Sequence, residues 1–249
     1  MDIRSFDRFS ERLQRNMPIR VYGYSGRPIL FIPCQDGHAE DFENFRMTDV
    51  LAPWIDSGRC TVFSIDTVDA ETWSDRRGDP YWRIRLHERW VEFITQELVP
   101  FIWEQVLPGG RPEGCGIMTF GCSMGATHAL NLYLRFPDLF DRCLALSGIY
   151  HASFFIGDYM DEVVYRNSPA DYMANFPADH PFVELYNRHK AVFCTGQGAW
   201  EEPWSTRRMD ELFRERGIRA WVDYWGYDVN HDWPWWYKQT AYFLPYLLD

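Results

Sequence analysis

The chain has 249 residues, 46% of them hydrophobic, enough to bury a sizeable core without division into several domains. Its formal net charge of −11, with no block of Lys or Arg, disfavours nucleic acid or an anionic membrane surface as partner. The first residues lack the roughly 7–15-residue apolar stretch of a signal peptide, and no run of about 18 apolar residues occurs; the six cysteines (34, 60, 115, 122, 143 and 194) stand singly with no CxxC pair, so a soluble cytoplasmic protein with reduced thiols is expected.

Two apolar, β-prone runs, Arg20 to Ser25 and Pro28 to Ile32, flank Gly26-Arg27 and read as a strand pair joined by a tight turn. The second run leads into Pro33-Cys34-Gln35-Asp36-Gly37-His38, a glycine-containing loop straight after a buried strand. Residues 41–55 read as helix, and Cys60 to Ile65 as a third strand. Residues 66–81 read as a long loop, and because loops at strand ends carry substrate contacts in α/β sheets, Trp73 is a candidate lining residue. From Trp82 to Ile102, apolar residues at 90, 91, 94, 98, 101 and 102 predict a long amphipathic helix, kinked at Pro100 and closed by Gly109-Gly110-Arg111-Pro112.

A short apolar run then ends in Gly121-Cys122-Ser123-Met124-Gly125, and apolar residues recur at 126, 129, 130, 133 and 134 with the spacing of one helical face. Strand, sharp turn and helix in that order describe a nucleophile elbow, in which the serine sits on strained backbone and flanking glycines let strand and helix approach. Residues 143–148 form the next strand. Residues 149–190 break into short pieces rich in Tyr, Phe, Asp and Pro, which predicts an insertion over the strand ends serving as a lid or pocket wall. Ala191 to Cys194 is a further strand that runs into a loop carrying Glu201 and Glu202. Ser205 to Arg216 is a charged amphipathic helix, Ile218 to Trp225 the last strand, and the loop 226–233 carries His231. Residues 236, 240, 243, 244 and 247 share one side of a terminal helix. This order predicts an α/β-hydrolase fold over residues 1–249, one domain with a mainly parallel sheet covered on both faces.

A serine hydroxyl becomes a useful nucleophile when a base accepts its proton and a third group holds the base. Among the seven histidines, His231 alone lies in the loop between the final strand and the terminal helix, downstream of a strand that can supply the acid. Glu201 is the expected acid, with Glu202 as the alternative; Asp228 lies three residues from His231 on the same loop, an arrangement the usual order does not favour. The first amide of the elbow helix, that of Met124, is an expected oxyanion donor, and the second comes from Gln35 or Asp36. Cys122 precedes the apex and is set aside as nucleophile. With no HExxH, no paired Cys and no clustered His, neither a metal nor a cofactor is expected.

Gly121-Cys-Ser-Met-Gly-Ala126, Phe136-Pro-Asp-Leu-Phe140, Leu146-Ser-Gly-Ile-Tyr150 and Trp225-Gly-Tyr-Asp-Val-Asn-His231-Asp-Trp-Pro-Trp-Trp236 together resemble the esterase D-like family of α/β-hydrolases, over about residue 18 to the C-terminus. The resemblance implies a serine hydrolase that cleaves a small-molecule carboxylic ester through an acyl-enzyme, with Ser123 and His231 in their usual roles. Because the family also includes mycolyltransferases, an acyltransferase is the alternative. Many relatives carry an Asp in the acid loop where this chain has Ala199. That departure keeps a third reading open, a non-catalytic binding protein on a hydrolase scaffold. Self-association into a homo-oligomer is compatible with the sequence.

Overall fold

The computed structural model describes residues 1–106 and 114–249. The expected helix closure at Gly109-Gly110-Arg111-Pro112 lies outside the described residues. The described strands are β1 (Ile3–Ser10), β2 (Arg15–Tyr22), β3 (Arg27–Ile32), β4 (Cys60–Ile65), β5 (Ile117–Cys122), β6 (Phe140–Leu146), β7 (Lys190–Thr195) and β8 (Trp221–Tyr224). They form one sheet in the order β1-β2-β4-β3-β5-β6-β7-β8. From β4 to β8 all neighbours run parallel, while β1 and β2 are antiparallel to their partners at one edge.

The expected pairing of residues 20–25 with 28–32 does not form. β4 lies between β2 and β3, antiparallel to the first (Ile19 opposite Ile65) and parallel to the second (Leu30 opposite Phe63). The connection over Gly23 and Gly26 rides on the entry to β4 instead of closing a hairpin: Arg27 N donates to Arg59 O at 2.9 Å, and a Cβ on Gly26 would lie 2.3 Å from the Arg59 carbonyl carbon. The other partner of β2 is β1, which the sequence reading missed. β1 is an edge strand exposed along most of its length, with Arg4, Asp7 and Arg8 among its residues, so it lacks the one-faced apolar alternation that marks a half-buried strand.

The helices are α1 (Asp41–Asn44), α2 (Met47–Asp56), α3 (Pro80–Glu92), α4 (Val99–Val106), α5 (Met124–Arg135), α6 (Ser153–Ile156), α7 (Glu162–Arg166), α8 (Pro169–Ala174), α9 (Pro181–Arg188), α10 (Pro203–Glu215) and α11 (Trp233–Leu248). Successive strand residues point to opposite faces, so Leu30 and Ile32 pack with Trp90, Leu130 and Met209 of α3, α5 and α10. Ile29 and Phe31 pack with Phe42, Leu51 and Phe243 of α1, α2 and α11 on the other side. The expected long helix is interrupted by a π-helical stretch, Phe93–Leu98, directly before α4. Pro100 accounts for its position, because the ring has no N–H and crowds the carbonyl four residues earlier, so the i→i−4 ladder yields on the N-terminal side.

β3, β5, β6 and β7 end level with one another, as Ile32 faces Gly121, Cys122 faces Leu146, and Leu146 faces Cys194. The loops beginning at 33, 123, 147 and 196 therefore leave the sheet side by side at its C-terminal edge, where α/β sheets bind ligands. Below them, His128 Nε2 of α5 lies 2.9 Å from Asp69 Oδ1, and the ring of His87 of α3 lies tilted against that of His128, 5.0 Å between centroids. Both His87 nitrogens lack a partner among the described residues. Burial, with His128 and Arg135 nearby, holds His87 well below its ordinary pKa. Because the unfolded chain then binds the proton more readily than the folded one, this histidine's stability contribution is complete above about pH 6.5 and declines as pH falls. Urea unfolding between pH 7.5 and 5 is expected to lose up to about 1.4 kcal/mol per pH unit to this group, and His87→Leu should make the pH slope shallower; an unchanged slope would refute a buried neutral His87.

Candidate active site

β5 ends at Cys122 and α5 starts at Met124, which leaves Ser123 alone at the turn with φ 56° and ψ −126°. Non-glycine residues rarely adopt such backbone, and it persists where neighbours over-determine it. Ser123 N donates to Leu146 O at 2.9 Å, and Ser123 O accepts the amide of Ala126 at 3.0 Å. The glycines on either side are required by space. A Cβ on Gly121 would lie 2.2 Å from the backbone of Gly125, and a Cβ on Gly125 would lie 2.2 Å from Ile32 O of β3. Strand, helix and the neighbouring strand end thus meet backbone to backbone around Ser123.

His231 comes from the loop between β8 and α11, where Asp232 caps the helix by accepting the Trp233 amide. Its own amide donates to Ala199 O at 3.0 Å, and Asn230 Oδ1 accepts the Ala199 amide at 2.8 Å, so the loop carrying Glu201 and the histidine loop are tied together at Ala199. His231 Nε2 lies 2.8 Å from Ser123 Oγ, and Nδ1 lies 3.4 Å from Glu201 Oε2. With a carboxylate facing Nδ1, the proton belongs there, leaving Nε2 to accept from the serine hydroxyl. The Glu201 side chain is 1% exposed. Its Oε1 accepts from Ser147 Oγ at 2.7 Å and Gly196 N at 3.2 Å, and Oε2 lies 3.2 Å from Thr195 Oγ1.

The structure brings Ser123, His231 and Glu201 into one chain of contacts and keeps the alternatives out of it. Glu202 lies at the cleft mouth, where its carboxylate accepts from Trp204 Nε1 at 2.7 Å, and Asp228 is exposed on the histidine loop. A cleft of about 250 Å³ opens beside Ser123, lined by Gln35, Met124, Thr127, Ile149, Phe155 and Trp200 among others. The Met124 amide is the first of α5, where no intrahelical acceptor exists. Gln35 and Asp36 occupy a turn closed by Gly37 N donating to Cys34 O at 3.0 Å, with Asp36 at φ 58°. Trp73 does not line the cleft: it is 2% exposed and packs edge-on against His87 and the cleft-wall residue Phe155.

Sequence reading passed over the groups that support Glu201. Ser147, at φ 59°, follows β6 and turns its hydroxyl on the carboxylate, while Trp236 Nε1 donates to the same hydroxyl at 3.1 Å. The Trp236 ring also stands edge-on to His231, 5.0 Å between centroids. The Leu146-Ser-Gly-Ile-Tyr150 segment was the available signal, since a serine directly after a strand end adjoining the elbow is placed to reach the site.

Fold and site geometry together define an α/β-hydrolase. The family profile described as Putative esterase matches residues 10–245, and the chain belongs to that family. No curated protein sequence matches it significantly. Among solved structures it is similar to a ferulic acid esterase, with 17% identity, a TM-score of 0.76, and 99% of this chain and 98% of that one covered. An S-formylglutathione hydrolase from Agrobacterium tumefaciens gives 15% identity and a TM-score of 0.72, over 99% of this chain and 94% of that one. The fluorophosphonate-binding serine hydrolase F of Staphylococcus aureus gives 11% and 0.66, over 100% and 98%. At these identities the likeness is one of fold; the esterase class comes from the family profile. No described helix is long and apolar enough to cross a membrane.

None of the six cysteines is joined in a disulfide. Burial pushes Cys34 up to about 12 and Cys122, beside the apex, well above its ordinary value. Thiolate is the nucleophilic form, so both are inert near neutrality. Iodoacetamide at pH 8 is expected to leave Cys34 and Cys122 unmodified in the folded protein, read by peptide mass spectrometry, and to spare ester turnover. Loss of turnover in step with Cys122 alkylation would reinstate a thiol mechanism.

Proposed function

We propose that this esterase cleaves carboxylic esters through an acyl-enzyme on Ser123. The observation that carries the reading is the 2.8 Å contact between His231 Nε2 and a Ser123 hydroxyl on strained backbone. Ser123 Oγ attacks the carbonyl carbon as its proton passes to His231 Nε2. The imidazolium so formed donates through Nδ1–H to Glu201, which holds the tautomer and balances the charge without itself taking the proton. The oxyanion receives the amides of Met124 and Gln35. Collapse of the tetrahedral intermediate expels the alcohol, whose oxygen takes the Nε2 proton, and water repeats the sequence to release the acid. The segment between β6 and β7 serves as pocket wall: Thr127 of the elbow helix binds both the amide and the carbonyl of Ile149, which fixes where that segment departs.

The buried, four-contact setting of Glu201 supports it as the acid over Glu202. The departure at Ala199 then reflects a carboxylate carried two residues later on a side chain one methylene longer than Asp. With 4-nitrophenyl acetate, Ser123→Ala and His231→Ala are each expected to lower kcat about 10⁴-fold or more, and Glu201→Gln about 10³–10⁴-fold with little change in KM. Glu201→Gln keeping more than a tenth of wild-type kcat would move the acid role elsewhere.

A further inference from the structure

Apart from His231, the side chains lining the cleft are neutral with one exception, Glu202. Trp204 Nε1 donates to Glu202 Oε2, and neither an ion pair nor a donor to the other oxygen occurs among the described residues. The arginines on the first turns of α10 are engaged elsewhere: Arg207 donates to Gln197 Oε1 at 2.9 Å and lies over the Tyr224 ring, and Arg208 pairs with Glu211 at 3.2 Å. Behind Glu202, the buried Glu201 adds a second carboxylate. The mouth of the cleft therefore carries negative charge with no Lys or Arg among the described residues lining it.

Trp200 lines the same mouth, 89% exposed. Its backbone is at φ 66°, between Ala199, pinned at both amide and carbonyl to the histidine loop, and Glu201, pinned by four contacts. A bulky residue in left-handed backbone with its indole in water gains nothing for folding. Phe154, 44% exposed, lines the cleft as well. An aromatic face beside an unpaired carboxylate is the chemistry that holds an alkylammonium, through the ring quadrupole and the countercharge.

We propose that the ester taken by this cleft carries a fixed positive charge, an ammonium group seated against Trp200 and Glu202. This rests on Ser123 acting as proposed above. The charge can reside on the alcohol or the acyl part, and isosteric pairs separate the two. Acetylcholine against 3,3-dimethylbutyl acetate tests the alcohol side; the 4-nitrophenyl esters of N,N,N-trimethylglycine and 3,3-dimethylbutanoic acid test the acyl side. Each kcat/KM is divided by the ester's alkaline hydrolysis rate to remove intrinsic reactivity. In at least one pair the cation is expected to win by roughly tenfold, and by less at high salt. Glu202→Gln should bring that ratio to within about twofold, Glu202→Lys should invert it, and Trp200→Ala should lower it. A ratio near unity in both pairs, or a preference that survives Glu202→Lys in a protein with wild-type circular dichroism, overturns the proposal while leaving hydrolysis of the neutral esters intact. Absence of turnover on every ester, 4-nitrophenyl acetate included, overturns the serine mechanism and this assignment together.

Discussion

Ser123 is usable because three stretches of backbone come closer around it than side chains would allow. Gly121 lets β5 touch the first turn of α5, and Gly125 lets that turn rest on the carbonyls of Ile32 and Pro33. The second contact sets more than the elbow. Pro33 opens the loop carrying Gln35, so the helix whose first amide is Met124 and the loop proposed to offer the second oxyanion amide are held together by that approach. An alanine at either glycine would have to push strand from helix, and the positive φ at Ser123 would lose the neighbours that enforce it.

Glu201, the proposed acid, is placed by a different constraint. A carboxylate taken out of water needs partners for its lone pairs, and Glu201 finds them in Ser147, Thr195, Gly196 and His231. Three of those partners, Ser147, Thr195 and Gly196, stand at or just past the ends of β6 and β7, and Ser147 is itself held by Trp236 from the terminal helix. The site therefore draws on the ends of five strands, β3, β5, β6, β7 and β8, and on two helices, α5 and α11. Its negative charge stays at the back, under His231, while Glu202 one residue later turns the same loop's charge toward the cleft mouth.

Much of this was legible in the sequence, for reasons that also explain what was not. Strand β4 and the elbow were readable to the residue or nearly so because buried parallel strands are continuous apolar runs bounded by turn residues, and the helix after Ser123 keeps a clean 3.6-residue period. That Ser123 and His231 would meet was readable from chain order and loop position, and the loop after β7 offered Glu201 and Glu202, of which only Glu201 contacts His231. The β2–β3 hairpin failed because two adjacent apolar runs joined by a glycine turn look alike whether they pair with each other or straddle a third strand, and β4 is contributed from about thirty residues away. β1 failed because its partly charged edge carries little apolar signal. Ser147 and Trp236 failed because a hydroxyl and an indole that act through a carboxylate leave no spacing rule behind; their contacts exist only once β6 and α11 are folded against the sheet.

Under the proposed mechanism one hydroxyl in this chain is chemically distinct, activated by His231 and presented at the cleft. Reaction of the folded protein with a fluorophosphonate, followed by intact and peptide mass spectrometry, tests it most directly. One adduct per chain is expected, on the peptide bearing Ser123, and none after unfolding in urea. An adduct on another residue, or no adduct on the folded protein, would contradict it.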